Sequence, residues 1–240
     1  MAALFLPALA GALAVLFFPA RHSAADPAFD PRVTWLADCA TCHAADGSGT
    51  QFGPDLHHAT GTLVEYELST GRMPLPYGDH VPHRTTPKYT APQIEQLVSY
   101  VLSVTHAPTG ALPPVVTDLA HANSANGGEV FRLNCSACHT VTGVGGALLH
   151  RDAPPLGPAT PEQTAAAVRE GPGAMPAFGT AAISDSDLRD VVAYVHYLHK
   201  PNDAGGWAIG HVGPITEGLV GFVVGTLGLL VVARTIGTRT

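Results

Sequence analysis

Apolar residues recur along this chain at helical spacing in two widely separated stretches. Ile94, Leu97, Val98, Val101 and Leu102 fall on one helix face, and Leu188, Val191, Val192, Val195 and Leu198 repeat the pattern further on. Each predicted helix has a start signal: a Thr90-to-Gln93 capping box with Pro92 in the first turn, and Ser184 as N-cap. Pro31 to Asp38 predicts a shorter helix that contains Trp35, and Phe131 stands in the corresponding stretch of the second half. Two further runs are apolar with no polar face. Met1 to Ala20 ends at Arg21 and reads as a secretory h-region or a short membrane anchor; Ser23-Ala24-Ala25 offers a cleavage site before Asp26, so a cleaved leader over residues 1–25 is the favoured reading. Val212 to Ala233 carries one charge, Glu217 near its start, and is about long enough to cross a bilayer.

Between these elements the chain repeats itself. Cys39-Ala40-Thr41-Cys42-His43 has a counterpart in Cys135-Ser136-Ala137-Cys138-His139. After each comes a loop with Gly, Pro and Leu (Gly53-Pro54-Asp55-Leu56; Pro154-Pro155-Leu156-Gly157), then a short helical stretch, then Gly71-Arg72-Met73-Pro74 or Gly173-Ala174-Met175-Pro176. The amphipathic helices close the two units. An aromatic one turn ahead of each first cysteine, Trp35 or Phe131, is placed to pack against a later helix. The sequence thus divides into a leader (1–25), a first unit (27–105), a Pro-rich linker (106–120), a second unit (121–200) and a membrane segment (207–234). His106 to Ala120 reads as a semi-rigid tether.

The chemistry lies in the cysteines. All 4 belong to the two motifs, so no thiol is left over for a structural disulfide. C-x-x-C-H is the attachment signature of c-type haem: two thiols one helical turn apart bond to one porphyrin, and the next residue ligates the iron. Zinc would want two further ligands at finger-like spacing, and a redox dithiol would not need the trailing histidine. Two copies therefore predict two covalently bound haem c groups, held by Cys39, Cys42, Cys135 and Cys138, with His43 and His139 on the irons. An isolated methionine is normally a gap-filling core residue. Here both internal methionines share a Met-Pro context after a haem motif, so Met73 and Met175 are the expected opposite ligands. His/Met ligation favours electron transfer over oxygen or peroxide chemistry. His57, His58, His80, His83, His106 and His121 read as surface residues. His80 and His83 lie in the loop Pro74 to Tyr89, longer than its counterpart and read as a docking lip or a tolerated insertion.

Composition adds limits. A net charge of −7 makes a nucleic-acid partner a poor fit, and 26 Gly and 21 Pro with only 13% charged residues describe a loop-rich chain. Arg234 and Arg239 follow the last apolar run, which puts the C-terminus in the cytoplasm and the two units outside. Gly218, Gly221, Gly225 and Gly228 line one face of that run, where another helix can approach closely.

The two Cys-x-x-Cys-His motifs, Thr70-Gly71-Arg72-Met73-Pro74, Gly171-Pro172-Gly173-Ala174-Met175-Pro176 and Gly213-Pro214-Ile215-Thr216-Glu217-Gly218 stand in an order that resembles the dihaem cytochrome c subunit of the actinobacterial menaquinol–cytochrome c reductase, the cytochrome bcc complex. The likeness covers roughly residues 30 to 235; the N-terminus departs from it, being short and without a basic region. The resemblance implies an electron-transfer subunit of an oxidoreductase complex with no substrate-converting site of its own. It implies a cytochrome b subunit, a Rieske iron–sulfur subunit and a terminal oxidase as partners. The expected fold is all-α: two tandem cytochrome c domains followed by a single C-terminal transmembrane helix. A free-standing membrane-tethered carrier and a dihaem peroxidase-type enzyme are the alternative functions.

Overall fold

The computed structural model describes residues 29–76, 79, 81–110, 112, 118–148, 151–199, 201 and 214–237; the leader 1–25, His80, most of the link 200–206 and residues 207–213 lie outside them. The first unit runs through α1 (Pro31–Asp38), α2 (Ala40–His43), α3 (Gly61–Ser69) and α4 (Ala91–Thr105). The second repeats the order with α5 (Ser124–Asn134), α6 (Ser136–His139), α7 (Pro161–Glu170) and α8 (Asp185–His199), and α9 (Pro214–Gly237) follows.

Local chemistry explains these elements. Asp30 caps α1 by accepting from the N–H groups of Arg32 and Val33 at 2.9 and 3.2 Å, with Pro31 in the first helical position. At Cys39 and Cys135 φ stretches to −123° and −118°, and each motif continues as a one-turn helix of its own. Those turns end at Ala44 and Thr140, both at φ 62°. The predicted Thr90 box is formed, the Thr90 N–H donating to Gln93 at 3.0 Å, and Ser184 accepts from the Asp187 N–H at 3.1 Å.

The all-α expectation needs one correction. β1 (Gly146–Leu148) and β2 (Arg151–Ala153) form a short antiparallel ladder with Gly146 opposite Ala153. Gly145, at φ 81°, lets the chain pass against the Ala153 and Pro154 backbone and brings the two segments side by side. In the first unit only an isolated bridge, Thr50 to Gly53, forms at the corresponding place.

In each unit the helix before the motif packs on the closing helix. Trp35 lies 6.5 Å from the Tyr100 ring, and Phe131 lies 5.4 Å from Tyr194. The α5–α8 contact is close because Gly127 and Gly128 have no side chains; a Cβ on Gly127 would sit 1.9 Å from the Asp190 carbonyl. Asp190 is buried yet fully engaged, accepting from the Asn123 N–H at 2.9 Å and Asn126 Nδ2 at 3.0 Å. The predicted apolar faces point inward: Leu97, Leu188, Val191 and Val192 are each about 1% exposed or less.

The units also touch each other, α3 against α7. The segment that joins them packs at both ends: Pro108 accepts the Gly61 N–H of α3 at 3.1 Å, and Leu112 and Leu119 lie on the second unit's cluster of Ala165, Val168, Ile183, Leu188 and Val192. Gly127→Ala is expected to force α5 away from α8 and lower stability by about 1–3 kcal/mol, read as a lower Tm of the haem-loaded chain.

Candidate functional site

The structure places the two motifs in matching frames. His43 and His139 are buried, and each ring is fixed from behind: His43 Nδ1 lies 2.9 Å from the Pro54 carbonyl and His139 Nδ1 lies 3.0 Å from that of Pro154. A carbonyl can only accept, so Nδ1 carries the proton and Nε2 keeps the lone pair that a metal needs. Burial pushes the His139 pKa down, which holds the imidazole neutral. The proline carbonyls reach the rings because glycine permits close backbone approach. Gly49 and Gly145, at φ 81°, would set a Cβ 2.8 Å from the Pro54 carbonyl carbon and 2.9 Å from the Pro154 carbonyl carbon, distances no side chain tolerates.

No disulfide joins the four cysteines, and burial pushes the Cys39 and Cys135 thiols up to about 11. Zinc finds no support: among the described residues no group of three or more His, Cys, Asp or Glu is clustered for a metal. Large apolar side chains stay exposed around the motifs, Leu36 and Phe52 in the first unit and Leu133, Val141 and Val144 in the second. The donor set of two cysteines and a neutral, oriented histidine beside apolar walls fits a covalently held porphyrin.

The methionine sides differ between the units. Met73 packs on Leu68, Tyr89, Ile94 and Leu97, and its N–H donates to the Glu67 carbonyl at 3.1 Å. The peptide bond to Pro74 is cis. The long loop after it is tied down by Thr85, whose N–H donates to the Thr70 carbonyl at 3.1 Å and whose hydroxyl donates to that of Gly71. Tyr89 then donates its hydroxyl to Asp38, next to Cys39, so the loop closes back on the motif. Burial alone would raise the Asp38 carboxyl, but hydrogen bonds from Lys88 and Tyr89 outweigh it and leave the pKa below its ordinary value. Behind Met73, Arg72 is buried with its guanidinium 4.9 Å above the Tyr66 ring.

In the second unit Met175 packs on Ala165, Val168, Ile183, Leu188 and Val192, and the shorter loop is held by one cation. Arg169 Nη1 donates to the Phe178 and Ile183 carbonyls, both at 2.8 Å, and Nη2 to Asp185 at 2.7 Å. The side chain is only 13% exposed, so these are partly desolvated, charge-assisted bonds. Sequence reading passed over Arg169, Thr85, Tyr89 and the proline carbonyls; of the first three, only the C-terminal position of Arg169 on a predicted helix was a signal. His58, His83, His106 and His121 are exposed as expected, while His57 is half-buried and lies 2.6 Å from Asp55. Arg169→Leu is expected to free the loop after Met175 and raise amide exchange of Phe178 about tenfold, as for a loss of about 1.4 kcal/mol.

Comparison with known proteins agrees with this geometry. Residues 32–105 match the family described as cytochrome c, and residues 122–195 match cytochrome c oxidase, cbb3-type, subunit III. The cytochrome bc1 complex cytochrome c subunit of Mycobacterium leprae is 34% identical over 207 residues, 84% of this chain and 72% of that protein. That of Corynebacterium diphtheriae is 32% identical over 221 residues, 84% of this chain and 77% of its own length. A cytochrome c6 of Leptolyngbya boryana is 42% identical over 78 residues, 31% of this chain and 91% of that protein. Two cytochrome c domains, each with a Cys-x-x-Cys pair, carry two covalently bound haem c groups. With two oriented histidines in matched frames and this extent of likeness, the chain belongs to the family of the cytochrome bc1 complex cytochrome c subunits.

Proposed function

We propose that this chain is the membrane-anchored dihaem carrier of a menaquinol-oxidising complex, taking electrons from a Rieske iron–sulfur subunit beside a cytochrome b subunit and delivering them to a terminal oxidase. The observation that carries the reading is the duplicated frame: a buried histidine with Nδ1 on a proline carbonyl, repeated in two units that pack on each other. In this reading Cys39 and Cys42 would hold one porphyrin and Cys135 and Cys138 the other, and His43 with Met73 and His139 with Met175 would ligate the irons. When bound, each haem supplies an iron that gains and loses one electron with its ligands in place.

The rest of the work belongs to the chain. Pro54 and Pro154 fix the tautomer and aim of the histidines. Thr85 and Arg169 hold the methionine loops against their clusters, where Met73 and Met175 would keep the irons closed to a small ligand. Arg72, a buried cation beside Met73, favours the more electron-rich state of that centre. This closure speaks against a peroxidase-type enzyme, which needs one displaceable ligand.

The segment Gly218–Gly237 of α9 is long and apolar enough to cross a membrane, and none of it is buried against the rest of the chain. Leu219, Phe222, Leu229 and Val231 are all well exposed on it, as suits a helix solvated by lipid. Arg234 in its last turn orients the two haem units to the extracytoplasmic side. A chain that works inside a complex, rather than as a free-standing carrier, would bring its partners with it. Purification through a tag on this chain is expected to yield low-spin c haem together with b-type haem and a-type oxidase signals; two c haems alone, in a preparation that keeps complexes together, would establish the free-standing carrier instead. Met73→His and Met175→His are each expected to lower one midpoint potential by on the order of 0.2 V, within the roughly 0.8 V span that axial ligands set, and to leave the other unmoved in a potentiometric titration.

A further inference from the structure

The long loop of the first unit reaches the second. Arg84 is half-buried, and its Nη2 donates to Gln163 Oε1 at 2.7 Å. Gln163 is the third residue of α7, and its Oε1 also accepts the Thr160 N–H at 3.3 Å while its own N–H donates to Thr160 Oγ1 at 3.2 Å. Its Nε2 faces the first unit, where Ser69 offers its carbonyl at 3.5 Å and its hydroxyl at 3.4 Å. One side chain of the second unit is thereby held by its own helix cap, by the loop of the first unit and by the last turn of α3. The capping box fixes the rotamer of Gln163 before any partner arrives, so little side-chain entropy is left to lose on docking.

Arg84 has reasons not to be there unless the contact matters. Burial, and then the neighbouring Arg72 cation, disfavour its charge, and among the described residues neither guanidinium has an acidic partner within ion-pair distance. A loop serving only as a solvent-facing lip would leave such a side chain in water. The joining segment fastens α3 to the second unit again at its other end, with Pro108 on Gly61 and Leu112 on the second unit's core.

We propose that Gln163, gripped by Arg84 and Ser69, is the pin of a fixed joint between the two units, and that this joint sets the geometry for electron exchange between their haems. The proposal rests on the dihaem carrier reading given above. In the exchange one ferrous iron becomes ferric as the other, ferric, becomes ferrous; no bond forms or breaks and no proton moves. With no bonding step to control, the protein governs the rate through separation and orientation. Gln163 is in this sense a positioning residue, since it touches neither haem motif.

The test uses the full-length, haem-loaded chain in detergent, with the inter-haem relaxation followed after pulsed reduction and amide exchange measured at Gly61 and Thr85. Gln163→Ala is expected to slow the relaxation about fivefold and spread it over several phases, as for the loss of one hydrogen bond. Both midpoint potentials and both low-spin spectra stay as in the parent, and exchange at Gly61 and Thr85 rises. Gln163→Glu keeps an acceptor for Arg84 and holds the relaxation within about twofold of the parent. Arg84→Ala, a loop variant far from either motif in sequence, reads the same contact from the other side and reproduces the slowing. Parent-like relaxation in Gln163→Ala and Arg84→Ala overturns the proposal, and so does slowing without any change in amide exchange. A parent chain with no inter-haem relaxation overturns the carrier reading and the proposal with it.

Discussion

One hydrogen bond, made twice, organises each half of this protein: the ring Nδ1 of a buried histidine against a proline carbonyl. It decides which ring nitrogen keeps a free lone pair, and it can form only if the loop after the motif folds back on the motif itself. That return is what the glycines at φ near 80° allow, and the loop then sets where α3 and α7 begin. From those helices hang the methionine loops. The histidine is also where the sequence's shortest-range signal, five residues long, meets a partner eleven or fifteen residues away.

Around that constraint the two units solve the same packing problem with different parts. The second brings α5 onto α8 by deleting side chains at Gly127 and Gly128 and gives the buried Asp190 donors from the α5 N-terminus. The first has no such glycine pair in α1 and uses a large ring, Trp35, whose indole N–H donates to the Ala45 carbonyl at 3.0 Å and which stacks 6.4 Å from His43. Both arrangements bury the aromatic that precedes the motif, and both leave the cysteines on a turn that starts afresh after a break in the helix.

What the sequence made legible was whatever depends on spacing. The motifs, the two amphipathic helices, their caps and the terminal apolar run all follow from residues within one or two turns of each other, and the structure has them where periodicity puts them. The short β ladder was not legible, because three-residue strands in a Gly-rich loop have no alternation to read. Arg169 and Gln163 were invisible for a different reason. An arginine near a helix end or a glutamine at the third position of a capping box has a complete local explanation, so nothing in the pattern asks for the second role that tertiary contact gives it. For the joining segment composition marked only a semi-rigid linker; that Pro108 and Leu112 pack against one unit and the other lay outside what proline and glycine can tell.

The unlike methionine loops carry a consequence for how such a chain can change. On the histidine side the two units are near copies, and a substitution there is constrained twice over by the same geometry. On the methionine side one loop is long and tied by hydroxyls and a tyrosine, the other short and clamped by a single arginine. In the proposed carrier, variation that shifts one centre relative to the other therefore has most room on that side, and the downhill direction of the electron can drift, or be selected, there while the part that secures the cofactor stays as it is.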